Sequence, residues 1–319
     1  MDKKIKKVTV QRRSYSNGKL LLTGEYVVLD GAVALAVPTT FGQDLVVETI
    51  ENKQLIWSSF TNKGVCWFEA VFDVPKLRLA TATFSSSREG NTDFIAETLQ
   101  HILQEAQKLN PCFLSSEYGF SVKTTLTFPR NWGLGSSSTL INNIAHWAEI
   151  DAYQLLWSAF SGSGYDIACA QNSNPLFYQL KHQKPVVKKV NFNPDFKDQL
   201  FFIHLNQKQN SRDGIIRYKK NAGNIEKEIR NISAISSEII NTKSLIAFSQ
   251  LMEEHEQMIS SIVNIKPVKE RLFSDYFGTI KSLGAWGGDF ILVTGNEETP
   301  EYFRKKGYKT ILPYREMVL

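Results

Sequence analysis

The stretch Pro129-Arg130-Asn131-Trp132-Gly133-Leu134-Gly135-Ser136-Ser137-Ser138 decides how this chain is read. Before it, residues 120–128 alternate and are rich in threonine and valine, which predicts a strand. After it, Leu140, Ile141, Ile144, Ala145 and Ala148 fall on one face of a helix. Two glycines let the backbone between turn tightly and approach a ligand closely. Three serines then open the helix, where unpaired backbone N–H groups and the helix dipole favour an anion. Their hydroxyls offer donors to phosphate oxygens, or an oxygen ligand to magnesium. The same residues also suit a plain serine N-cap after a turn. The pattern is not the Walker loop, because no lysine follows Gly135.

Upstream the chain reads as β-rich. Apolar runs at 19–29 and 32–37 are separated by Asp30-Gly31, a hairpin signal. Strand-like segments at 44–50 and 55–60 flank the turn Glu51-Asn52-Lys53. Residues 93–109 then change period: Ile95, Leu99, Ile102, Leu103 and Ala106 share a helix face, closed by Asn110-Pro111. Downstream, the prolines and polar residues of 175–185 suggest a boundary. Beyond it come a strand at 200–205, two helices within 224–263 broken at Asn241-Thr242-Lys243, and strands at 290–294 and 309–312. The expectation is an α+β chain of two halves, 1–180 and 181–319. Its strands-first order argues against a doubly wound domain.

Composition narrows the function classes. With 42% hydrophobic and 22% charged residues, the 319-residue chain has the apolar supply for a sizeable core. The longest apolar stretch, 31–38, is strand-sized, so no membrane span is expected. Lys3, Lys4, Lys6 and Lys7 are not followed by a signal-like apolar segment. Cys66, Cys112 and Cys169 form no CxxC pair and read as free thiols of a reducing cytoplasm. A net charge of +5 suits an anionic substrate without indicating nucleic acid.

The glycine–serine stretch resembles the phosphate-binding second motif of the galactokinase/homoserine kinase/mevalonate kinase/phosphomevalonate kinase (GHMP) superfamily. Gly18-Lys19-Leu20-Leu21-Leu22-Thr23-Gly24-Glu25-Tyr26 resembles the first motif of that family. Lys281-Ser282-Leu283-Gly284-Ala285-Trp286-Gly287-Gly288-Asp289-Phe290 resembles the third. Three motifs in order, from residue 18 to 290, make the resemblance specific at superfamily level. It implies an N-terminal β/α domain like that of a small-subunit ribosomal protein and a C-terminal ferredoxin-like α+β domain. It further implies ATP and Mg2+ as cofactors, with Gly133, Leu134, Gly135, Ser136, Ser137, Ser138, Gly287 and Gly288 around the nucleotide and Ser137 as a metal ligand. Ser161-Gly162-Ser163-Gly164-Tyr165-Asp166-Ile167-Ala168 matches the family's aspartate segment. The resemblance implies that Asp166 takes the acceptor's proton and that Lys19 stabilises transferring charge. Taken alone, Asp166 also suits a helix cap and Lys19 a solvent-facing strand position. Glu25, Tyr26, Ser211 and Arg212 are the implied substrate contacts, although Asn210-Ser211-Arg212 also suits a surface loop.

Some positions depart from the pattern. Trp286 replaces a small residue and is expected to crowd the loop or cover the site. Leu283 replaces a small polar residue. Where mevalonate kinases carry a magnesium-binding glutamate, this chain has Leu155, Leu156 and Trp157, with Glu149 and Asp151 further upstream. The Gly-Glu-Tyr, Gly-Tyr-Asp-Ile-Ala and Gly-Gly-Asp runs tilt toward phosphomevalonate kinase. Mevalonate, a sugar or homoserine as acceptor, diphosphomevalonate decarboxylation and a non-catalytic nucleotide- or metabolite-binding regulator stay open. A monomer or homodimer acting on a small anionic metabolite is expected.

Overall fold

The computed structural model describes residues 11–84, 92–207, 211–221, 223–284, 286 and 288–319, with the side chains of residues 92, 93, 211 and 212 outside the description. Its strands and helices are β1 (Gln11–Leu21), β2 (Ala34–Ile50), β3 (Gln54–Phe60), β4 (Cys66–Asp73), β5 (Arg78–Phe84), α1 (Thr92–Leu109), β6 (Gly119–Leu126), α2 (Ser136–Ala148), α3 (Ala152–Ala159) and α4 (Tyr165–Ala170). There follow β7 (Leu176–Lys181), β8 (Lys184–Lys189), β9 (Leu200–His204), α5 (Ser211–Asn221), α6 (Glu226–Ile239), α7 (Leu245–Val263), α8 (Val268–Leu272), β10 (Ile280–Ser282), β11 (Phe290–Thr294), α9 (Thr299–Lys305), β12 (Ile311–Pro313) and α10 (Tyr314–Met317).

The chain divides into two compact units that interleave in sequence. One comprises Met1–Ser16, Gly42–Pro129 and Ser136–Gly162; the other comprises Asn17–Phe41, Arg130–Gly135 and Ser163–Leu319. In the first, the strands run in the order β5-β4-β3-β6-β2, with β3 and β6 parallel and the other neighbours antiparallel. Helices α1, α2 and α3 pack together. They bury the apolar faces the periodicity predicts, including Leu99, Ile102, Leu103, Ile141 and Ile144.

In the second unit, Ala34, Leu35 and Ala36 at the start of β2 pair with β7, which pairs with β8. A separate antiparallel sheet runs β10-β11-β9-β12. Every residue of β9 and β11 is buried, as a continuous apolar run in an interior strand requires. Phe201, Ile203, Ile291 and Val293 of these strands meet Val268, Phe273, Tyr276 and Phe303 in one apolar cluster. Helix α7 stops at Asn264, which takes the left-handed conformation (φ 53°) common at helix ends. No described helix is long and apolar enough to cross a membrane.

Candidate active site around Lys19

The backbone of β1 at Gly18-Lys19 lies against the glycine-containing loop. Lys19 N donates to Leu134 O at 3.0 Å, and Lys19 Nζ donates to Gly133 O at 2.9 Å. A side chain at Gly18 would meet the Thr39 hydroxyl and the Leu134 carbonyl, so glycine there is what permits the approach. Gly133 (φ 67°) and Gly135 (φ 91°) occupy the left-handed region, and Leu134 between them is buried. Trp132 is held edge-on by Phe41 and Phe290, at 5.3 and 5.5 Å between ring centroids, while the His204 ring meets Asn131 O at 3.0 Å. Along the chain the loop leads into α2, in whose first turn Ser136 is half-buried, Ser137 exposed and Ser138 buried.

The Lys19 ammonium stands 5.7 Å from the centre of the Tyr165 ring. Gly164 (φ 88°) turns the chain into α4, which places Tyr165 and Asp166 in its first turn; Asp166 Oδ1 accepts from Ile167 N at 3.1 Å. Burial pulls the Lys19 pKa down, but Tyr165, Asp289 and Asp166 together hold it above the ordinary lysine value. Burial likewise pushes the Tyr165 phenol up to about 12 against the pull of Lys19. The Cys169 thiol is raised by burial and by the Asp166 charge. The structure therefore brings Lys19, Asp166 and Gly133 together: a firmly protonated cation on a glycine loop with a carboxylate beside it. Such a set has the chemistry to offset negative charge on a ligand and to accept a proton.

Two further members were not singled out from the sequence. Tyr165 lies inside the aspartate segment, and Asp289 ends the Gly-Gly-Asp run, which is the signal the sequence offers for it. Asp289 packs on Gly133, and a Cβ on that glycine would collide with its carboxylate. Gly133→Ala is accordingly expected to destabilise the protein by about 1–2 kcal/mol from the left-handed backbone alone, with the collision adding to it. Urea denaturation checks this, and an unchanged midpoint would contradict it.

Tyr26, at φ 63°, is largely buried and stacks on Tyr218 of α5 at 5.8 Å; the Tyr218 hydroxyl donates to Asp30. A Cβ at Gly214 would strike the Tyr26 hydroxyl, so α5 presses directly on this tyrosine. Burial raises the Tyr26 phenol, and the neighbouring Glu25 carboxyl adds to the effect. Ser211 and Arg212 form the first turn of α5. Glu149 pairs with Arg12 at 2.9 Å, and Asp151 caps α3 by accepting from Gln154 N.

No family model matches the chain, and no curated protein matches its sequence. Solved structures share its fold. Mevalonate kinase of L. major in complex with R-mevalonate has a TM-score of 0.64 and 16% identity over 96% of this chain and 94% of that one. Phosphomevalonate kinase of Streptococcus pneumoniae, in complex with phosphomevalonate and AMPPNP, gives 0.62 and 15% over 92% and 95%. Galactokinase of Lactococcus lactis, complexed with galactose, gives 0.59 and 11% over 92% and 88%. The chain has the GHMP-kinase fold.

Within that GHMP-kinase fold, the third glycine-rich segment differs from expectation at Trp286. Gly287 lies outside the described residues, and Gly288 is buried. Trp286 is 3% exposed, its ring turned into the core. Its backbone takes φ 51°, and its ring is buried among Tyr26, Val27, Tyr218, Ile232, Ile259 and Ile262. The indole stands 5.8 Å from the Lys281 ammonium. A left-handed backbone thus turns a large side chain into the core.

Lys281 itself is fully buried and pairs with Glu25 and, at 3.3 Å, with Glu256 of α7. Glu256 also accepts from the Ser282 backbone and hydroxyl. Gly24 N donates to His255 Nε2 at 2.8 Å, which assigns the ring proton to Nδ1. Burial and Lys281 hold that histidine well below its ordinary pKa. Glu25 therefore faces the interior and fastens the Gly24-Glu25-Tyr26 turn to α7 and β10.

Burial raises the Glu25 carboxyl to about 7 despite Lys281. Its contribution to stability is complete below the ordinary carboxyl value and is lost as the pH rises toward about 7. Glu25→Gln is expected to flatten that part of a plot of stability against pH, measured by urea denaturation at a series of pH values. An unchanged slope would sink this assignment.

Proposed function

We propose that the chain is an ATP-dependent small-molecule kinase that transfers a phosphoryl group to an alcohol or phosphate oxygen of a small anionic metabolite. The observation that carries this reading is the convergence of Lys19, Asp166 and the Gly133 carbonyl in a protein with the GHMP-kinase fold. Asp166 accepts the acceptor's proton as the new O–P bond forms and the bond to ADP breaks. Lys19 neutralises charge on the transferring group, and Gly133 to Ser138 receive the ATP phosphates on glycine backbone and serine donors.

The residues present fit a magnesium ion carried on those phosphates. Ser137 is exposed in the first turn of α2, with a hard hydroxyl oxygen of the kind the ion takes. Ser137 would offer it one oxygen ligand, and the bound ion would offset negative charge on the ATP phosphates. In this reading Tyr26, Ser211 and Arg212 are acceptor-binding residues. Mevalonate and phosphomevalonate are the favoured acceptors, supported by the two kinases solved with those compounds and by the three sequence runs above.

ADP release with ATP and magnesium tests the proposal against mevalonate, phosphomevalonate, diphosphomevalonate, galactose and homoserine. Acceptor-dependent release is expected with one of the first two. Release with diphosphomevalonate accompanied by carbon dioxide would replace the kinase with a decarboxylase. Nucleotide binding without turnover on any of the five would favour a regulator.

A further inference from the structure

Asp289 has no part in the proposed reaction, yet its carboxylate packs on Gly133 and its backbone is tied to β9. Its backbone carbonyl accepts from Leu205 N at 2.8 Å, one residue after His204, whose ring meets Asn131 O. The end of β9 therefore fixes both the loop that carries Gly133 and the residue that packs on it. The next residue, Phe290, pairs with His204 and packs edge-on against Trp132, which ties the same two segments again. The carboxylate fills the space a side chain at Gly133 would need, while the Gly133 carbonyl on the same residue accepts the Lys19 ammonium. The glycine of the second motif thus admits a protein carboxylate as well as bending the loop.

A fixed negative charge beside a phosphate-receiving loop disfavours an anion unless it serves a cation nearby. The cation on the Gly133 carbonyl is Lys19. We propose that Asp289 is a positioning residue of the reaction centre, which holds Lys19 charged and directed at the Gly133 loop. This rests on the kinase reading for its meaning but not for its test. Among the described residues, the groups whose charge acts on Lys19 include Tyr165, Asp166 and Cys169 of α4, together with Asp289. Of these, Tyr165 and Cys169 are held neutral at ordinary pH by burial, so Asp289 and Asp166 are the two negative partners. Removing one leaves the ammonium less favoured.

The experiment is competitive labelling of Lys19 with an amine-reactive acylating reagent across a pH series, followed by peptide mass spectrometry. It compares the wild type with Asp289→Asn and Asp289→Ala. In both variants Lys19 is expected to label at lower pH, at least about threefold faster near pH 9, with the surface lysines as internal standards. If turnover exists, the alkaline limb of its pH profile moves down in parallel, and kcat falls more than the KM for ATP changes. The same labelling curve in wild type and both variants would overturn the proposal. So would a weakened apparent magnesium affinity with an unmoved Lys19 curve, because Asp289 would then serve the metal. A moved labelling curve in a protein that turns over no acceptor would support the role of Asp289 and count against the kinase.

Discussion

Asp166→Ala is expected to lower turnover on the order of 10²–10⁴-fold while nucleotide still binds. The carboxylate lies in the first turn of α4 beside Lys19, whereas the donors proposed for the nucleotide phosphates are the glycine and serine groups of residues 133–138. Losing the proton acceptor removes a group needed during transfer and leaves the phosphate cradle. Two measurements separate these effects: kcat from ADP release, and AMPPNP binding by calorimetry. Asp166→Asn, which keeps the shape, is expected to lose nearly as much turnover as alanine. Undiminished turnover in either variant would remove Asp166 from the proposed chemistry.

Lys281→Met is expected to destabilise the protein by about 3–5 kcal/mol. Methionine keeps the length and apolar character of the stem but leaves Glu25 and Glu256 facing each other without a cation in a buried site. Burial already raises both carboxyls, and without Lys281 they will favour the protonated form further. The loss should therefore shrink as the pH is lowered, and Glu25→Gln combined with Lys281→Met should recover part of it. Urea midpoints at pH 5 and pH 8 provide the check. A difference of under about 1 kcal/mol at pH 8 would mean that water reaches the cluster.

Local chemistry made part of this architecture readable. The periods of α1 and α2, the strand before the glycine–serine stretch and the break between α6 and α7 near Asn241 follow from side-chain pattern and turn residues alone. The apolar run at 19–29 was expected as strand, but β1 stops at Leu21 and Val27–Asp30 forms a short 3-10 helix. Partners at His255 and Lys281 hold Glu25 and Gly24, and no window around residue 25 contains them. Strand β8, Lys-Pro-Val-Val-Lys-Lys, looks like a charged loop because it is a sheet edge, where lysines and proline are favoured. Trp286 was misjudged for a related reason. Its residue type suggested an obstruction, whereas its backbone angle turns the ring inward. In the site, Lys19 and Asp166 were legible through their motifs, while Asp289 needed the fold to bring it to Gly133.

The interleaving of the two units bears on how the chain is made. Residues 17–41 are synthesised well before residues 163–319, with which they complete their unit. Glu25 waits for a lysine 256 positions later. A domain of consecutive residues can close while the remainder is still on the ribosome. Here the long loop between partners has to be ordered before the buried ion pair rewards it. Until Lys281 emerges, the nascent chain carries Glu25 without its counter-ion, a window in which a chaperone that shields residues 17–41 would raise the yield of folded protein.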